Sequence, residues 1–255
     1  LLRFLAIHAH PDDIEFQCAG TLALLKRKGH QITLATLTAG DCGSAELAPS
    51  EIARIRREEA RKAAELLGAD YFCLEFEDLR IVDDDRSRMR VTEVLRQVAP
   101  DVVITAPPID YMTDHENTSR LVRQATFNAP IPNYTTGADH PARPIDAIPH
   151  LYYVDPLEGT DYFGRDLPAD FYVDVTETFA IKKEMLACHA SQRDWLLRQH
   201  GIDEYLEAQK RWSQKRGHEA GCPFAEAFCQ HRGHPYPQDN ILGELLREVR
   251  YITKG

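Results

Sequence analysis

Leu1-Leu-Arg-Phe-Leu-Ala-Ile-His-Ala-His-Pro-Asp-Asp-Ile-Glu15 joins an apolar run directly to a cluster of acids and imidazole. Leu1–Ile7 reads as a short strand entering a core. His10 to Glu15 then place one imidazole and three carboxylates within six residues, with Pro11 holding the turn. Such a run can divide its labour. Some side chains bind a metal while an adjacent carboxylate stays free as a base, as metal-assisted hydrolysis requires.

Outward from this run the chain alternates between two periodicities. Cys18–Lys28 has helical spacing and stops at Gly29, and Gln31–Thr38 (QITLATLT) is a β-branched strand. Ala39–Pro49 reads as a loop. Glu51–Leu67 reads as a helix capped by Ser50 and ended by Gly68. Tyr71–Phe76 is a third strand, Ser87–Val98 a helix and Asp101–Ala106 a fourth strand. His115–Phe127 is a further helix with Asp114 as its cap. This pattern predicts an α/β fold: a three-layer sandwich of a mostly parallel sheet with helices on both faces.

Beyond residue 128 the pattern loosens. Ala129–His150 holds five prolines and reads as a long loop lining a pocket. Leu151–Asp155 and Phe171–Val175 read as strands, Glu177–His189 and Ile202–Lys215 as helices, and Gly217–Asp239 as irregular. Residues 1–255 are expected to form one domain, with a regular core over 1–128 and an irregular, pocket-forming part over 129–255.

Composition narrows the function classes. The 255 residues are 43% hydrophobic, enough for a sizeable core. With 40 acids against 30 bases the formal charge is −10, which argues against a protein that reads a nucleic-acid backbone. No apolar stretch approaches the ~20 residues of a membrane span. The first residues enter a strand rather than a signal peptide, so the expected location is cytoplasmic. The six cysteines form no C-x-x-C pair and read as free thiols. Neither a dinucleotide fingerprint nor a phosphate-binding P-loop occurs, so a nucleotide-binding reading is weak.

In open α/β sheets the ligand crevice lies beyond the carboxyl ends of the strands, where strand order reverses. With a 3-2-1-4 order, His10–Glu15 after the first strand would meet Asp110–Glu116 after the fourth. His10, Asp13 and His115 then offer two imidazoles and a carboxylate around an open position, a set that suits catalytic zinc. Asp12 is left to take a proton from an activated water. Glu15 reads as an acid favourable to the first turn of a helix.

These residues resemble a known family. His10-Pro11-Asp12-Asp13-Ile14-Glu15, followed by Ala19-Gly20-Thr21-Leu22, is similar to the signature of the PIG-L/LmbE-like zinc-dependent N-deacetylases. Thr38-Ala39-Gly40-Asp41-Cys42-Gly43, Arg56 to Ala60 and Asp114-His115 resemble further family segments. So does the stretch from Lys183 to Gln192, and the matches run from residue 3 to about 230. The resemblance implies a Rossmann-like fold and a mononuclear Zn2+, or another divalent metal, held by His10, Asp13 and His115. It implies Asp12 as general base and acid, and Arg56 and Asp78 as substrate-binding residues. The expected reaction is hydrolytic removal of an N-acyl group, as N-acetyl, from an amino sugar or related small amide.

One departure stands out. The family usually has a histidine where this chain has Met112, and that histidine stabilises the oxyanion. A thioether cannot donate the hydrogen bond. Tyr111 and His189 are the candidate replacements, with His140 and His234 behind them. Two alternatives follow: a non-catalytic N-acetyl-sugar-binding protein, or a metal-dependent phosphoesterase. Expected partners are a small N-acylated molecule and, through the C-terminal loops, a second copy of the chain.

Overall fold

Phe4 and Ala6 face one side of the first strand, Leu5 and Ile7 the other, and all four are buried. That alternation puts a packed layer on each face of a central strand. A computed structural model describes residues 1–193 and 204–251. Its parallel strands are β1 (Arg3–His8), β2 (Gln31–Thr38), β3 (Asp70–Phe76), β4 (Val102–Thr105) and β5 (His150–Val154). Three antiparallel strands follow: β6 (Phe171–Asp174), β7 (Ala225–Gln230) and β8 (Val249–Tyr251). The eight make one sheet of order β3-β2-β1-β4-β5-β7-β6-β8, so β1 and β4 are neighbours as expected.

The helices are α1 (Asp13–Gln17), α2 (Ala19–Arg27), α3 (Pro49–Leu67), α4 (Asp85–Val98), α5 (Thr113–Asn128), α6 (Phe179–Ala187), α7 (Glu204–Ala220) and α8 (Ile241–Leu245). Leu22, Leu25, Ala63, Ala64 and Met185 bring α2, α3 and α6 onto the Phe4 face. Val91, Leu95, Leu121, Val122 and Ala125 bring α4 and α5 onto the Leu5 face. No helix among the described residues is long and apolar enough to cross a membrane.

Two expected caps are replaced. Helix α3 begins at Pro49 after Ala48, with no side-chain cap, so Ser50 lies inside it. Proline supplies a preset φ where its missing N–H costs nothing. Helix α5 begins after Met112, and Asp114 lies in its first turn. The Asp114 carboxylate instead accepts the Leu79 N–H at 2.8 Å. The expected helix from Ile202 starts partly outside the described residues.

Gly217–Asp239 is irregular only in part: α7 continues to Ala220, β7 lies inside the sheet between β5 and β6, and residues 231–239 are loop. The strand was hidden because Glu226 interrupts its apolar pattern. That carboxylate is buried, accepting from the N–H groups of Gly20 and Thr21 at 2.8 and 2.7 Å and from Lys182 Nζ at 2.6 Å. It satisfies the start of α2 from the far end of the chain.

Candidate active site

The carboxyl ends of β1 and β4 bring two segments together. After β1, Asp12 adopts φ 100°, ψ −27°, a left-handed conformation rare outside glycine, and α1 starts at once. Held this way, the turn donates the His10 N–H to Asp13 Oδ2 at 2.7 Å. After β4, Asp110 and α5 deliver His115 to the same point. His10 Nδ1 lies 3.2 Å from Asp13 Oδ2 and 3.3 Å from His115 Nε2, and His115 Nε2 lies 3.4 Å from Asp13 Oδ1. Donors at about 2.0–2.1 Å around a tetrahedral zinc stand about 3.3–3.4 Å apart, so each spacing matches an edge of such a set, with Asp13 turning Oδ2 to His10 and Oδ1 to His115.

Carboxylates stand at the other nitrogen of each imidazole, hydrogen-bonded at His115 and at ion-pair distance from His10. His115 Nδ1 is 2.9 Å from Asp110 Oδ1. His10 Nε2 is 3.1 Å from Asp78 Oδ1 and 3.4 Å from Asp114 Oδ2. Carboxylate-backed imidazoles of this kind fix the ring and leave one nitrogen for a metal. Burial lowers the His115 pKa, but Asp13 and Asp110 outweigh it and raise it to about 9. Burial pushes Asp13 up, yet His115, His8 and His10 hold it well below the usual carboxylate range. The pocket therefore favours positive charge, and its donors fit a divalent cation.

His8, which the sequence reading passed over, also reaches this point. Its Nδ1 is 2.6 Å from Asp13 Oδ2, so His8, Asp13 and His115 form a second ligand grouping. That spacing is shorter than a tetrahedral edge, and the same nitrogen accepts the Ala9 N–H at 2.8 Å. His10 is the better placed imidazole. A third grouping, His10 with Asp78 and Asp114, lies on the opposite side of the His10 ring.

Asp12 stands next to this cluster. Its Oδ2 accepts from the Tyr205 hydroxyl at 2.6 Å, and its Oδ1 is 3.4 Å from Arg56. Burial raises its pKa against the opposing pull of Arg56. Tyr205 comes from α7, 193 positions away, and nothing in the sequence pairs it with Asp12.

The remaining expected residues take other places. Arg56 is buried, donating to Pro11 O at 2.7 Å and Gly40 O at 3.4 Å. It locks the turn from beneath, and it does not line the cavity described below. Gly40, at φ +71°, packs so closely that a Cβ there would lie 2.2 Å from the guanidinium. Asp78 faces His10 and accepts the Cys42 N–H at 3.1 Å, away from that cavity. His189 is fully buried with Nε2 3.3 Å from Glu15 Oε1, so it does not reach the cavity either. Glu15 thus serves His189 as well as the α1 first turn. Tyr111 does border the cavity, its ring edge-on to His115 at 5.6 Å. Met112 precedes α5, and its carbonyl accepts the His115 N–H at 3.1 Å.

A cavity of about 610 Å³ opens over Asp12, Asp13 and His115 and runs along α7. The proline-rich stretch 129–149 contributes nothing to it. Glu93 binds Thr136 and Ala142 of that stretch, and Arg96 binds the carbonyls of Ala129 and Ile131, so it is tied against α4 instead. Tyr152 and Tyr153 are buried core residues and present no stacking face.

The α/β sheet thus carries a candidate His–Asp metal site at the carboxyl edge of its parallel strands. Residues 5–126 match the PIG-L family model, described as GlcNAc-PI de-N-acetylase. The diacetylchitobiose deacetylase of Thermococcus kodakarensis is 26% identical over 198 residues, covering 74% of this chain and 70% of that protein. The 4-oxalmesaconate hydratase of Pseudomonas putida is 26% identical over 196 residues, covering 74% and 73%. The solved N,N'-diacetylchitobiose deacetylase of Pyrococcus horikoshii superposes with a TM-score of 0.78 at 24% identity, covering 94% of this chain and 88% of that one, and so shares the fold. At family level the relatives are deacetylases and hydratases, which places the chain among hydrolases or lyases.

Proposed function

We propose that this protein is a metal-dependent hydrolase that removes an N-acyl group, as N-acetyl, from an amino sugar or related small amide. The observation that carries this reading is the 3.2–3.4 Å triangle of His10 Nδ1, Asp13 and His115 Nε2 with the Asp12 carboxylate beside it. His10, Asp13 and His115 would hold Zn2+ or a similar divalent ion. Such an ion supplies Lewis acidity, polarising a carbonyl oxygen and acidifying a water.

The chain's own groups do the rest. Asp12 takes the proton of the attacking water on its carboxylate and returns it to the departing amine nitrogen. Water thus adds to the acyl carbon, the C–N bond breaks, and acid and amine leave. Tyr205 and Arg56 keep the Asp12 carboxylate aimed at the cavity. Tyr111, on the cavity wall beside His115, would offer its hydroxyl to the developing oxyanion, in the role that Met112 cannot fill.

A second reading has its own support. The hydratase relative favours addition of water across a carbon–carbon double bond, with Asp12 taking the water's proton and passing it to the neighbouring carbon as hydroxide adds. One experiment separates the two. Zinc-loaded protein is incubated with a panel of N-acetylated amino sugars and small amides, and free amine is measured. Amine release establishes the deacylase. No amine release, with loss of alkene absorbance from unsaturated dicarboxylates, establishes the hydratase.

A further inference from the structure

We propose that the cavity takes an apolar, ring-sized substituent of the N-acylated substrate, laid against Phe16 and Trp212, so that a bare sugar is the poorer ligand. The proposal rests on the deacylase reading and narrows its substrate class.

The wall facing the Asp12 carboxylate is built from rings. Tyr205, Ala208 and Trp212 lie on one face of α7 at helical spacing, and all three line the cavity. Phe16 from α1 joins them, 5.7 Å from the Trp212 ring at 31° and 6.1 Å from the Tyr205 ring at 60°. Leu157 adds a further apolar side chain.

The polar groups among these lining residues are largely committed. The Tyr205 hydroxyl is given to Asp12, Arg211 pairs with Glu204, and Lys215 binds Asp166 and the Glu158 carbonyl at 3.0 Å each. The indole nitrogen of Trp212 is the exception, buried with no hydrogen-bond partner. A sugar entering here loses water from each hydroxyl and finds few partners in return, a loss for every group left unpaired. A flat apolar group gains ring contact and burial instead. At about 610 Å³ the space is of the size that takes drug-sized ligands, well beyond an acetamido group.

The test compares N-acetylglucosamine with its phenyl β-glycoside. Binding is measured by calorimetry on zinc-loaded Asp12→Asn protein, so that turnover does not intrude. The phenyl glycoside is expected to bind at least about tenfold tighter, from burial of one ring. That advantage should vanish in Trp212→Ala. It should vanish equally in Ala208→Glu, which sets a carboxylate on the wall from a half-buried helical position and leaves the core intact. Equal affinities, no binding of either compound, or an advantage that survives both substitutions overturns the proposal. Amine release by the unmodified enzyme is followed in parallel. Release without a phenyl preference retires the cavity proposal and leaves the deacylase. A phenyl preference lost in both variants, without amine release, keeps the cavity and retires the chemistry.

Discussion

The Tyr205 hydroxyl lies 2.6 Å from Asp12 Oδ2, an α7 side chain donating to the carboxylate of the β1–α1 turn. Asp12 already sits in a left-handed backbone conformation, so its carboxylate is fixed at both ends. Tyr205→Phe removes one hydrogen bond to a charged group, worth about 1.5–3 kcal/mol. Turnover should fall roughly tenfold to a hundredfold with little change in KM or metal content. An unchanged kcat would remove Tyr205 from any role in aiming Asp12.

Metal content separates the ligands from the base. His115→Ala should lower bound zinc strongly, as read by elemental analysis after dialysis. Asp12→Asn should retain zinc and lose turnover by a factor of roughly a hundred or more. His8→Ala should retain zinc, because its Nδ1 is occupied by the Ala9 N–H. Zinc lost from the His8 variant and kept by His10→Ala would transfer the ligand role from His10 to His8.

Arg56 is expected to act as a support for the turn. It is buried, with its guanidinium on two backbone carbonyls and on Asp12. Arg56→Met leaves those carbonyls without their donor and should lower unfolding stability by about 2–4 kcal/mol, measured by denaturant titration. Activity should fall with it, through kcat rather than KM. A variant of native stability with a raised KM would instead mark Arg56 as a substrate contact.

A buried pair remote from the metal cluster predicts a pH effect. Arg216 Nε and Nη2 hold Asp155 at 2.6 and 2.8 Å, both side chains buried. Burial pushes the Asp155 pKa up to about 6 against the pull of Arg216. A carboxyl raised on folding contributes stability that is full below its unfolded pKa and is lost as pH rises through the folded value. Arg216→Met removes the opposing pull, so Asp155 should rise further. The variant should be about 3–5 kcal/mol less stable than its parent at pH 8, with the deficit shrinking toward pH 5. A deficit that is constant from pH 5 to 8 would contradict the assignment. Asp155→Leu combined with Arg216→Met should recover most of the loss.

Much of the core was legible in the chain. The β-branched strand Gln31–Thr38 and the helix ending at Gly68 were readable because local periodicity and terminators coincide there. The order 3-2-1-4 was assumed for such an alternation, and the sheet has it, so His10 and Asp13 meet His115. The second half was poorly legible. Strand β7 is buried by its neighbours rather than by its own pattern, and Glu226 in it disguises a core strand as a loop. The proline-rich stretch looked like a pocket wall, whereas Glu93 and Arg96 tie it to α4.

By itself the sequence determined the sheet's parallel half and which residue types would meet at its carboxyl edge. These follow from periodicity and from spacing within a few residues, which act before any long-range contact forms. Only the tertiary structure decided what surrounds them. It set Tyr205 on Asp12, Asp78 and Asp110 behind the two imidazoles, Arg56 beneath the turn, and the α7 rings along the cavity. Each of those contacts joins side chains tens to nearly two hundred positions apart, except Asp110 with His115. They exist because packing α1, α5 and α7 around the sheet brings together groups that the sequence holds far apart.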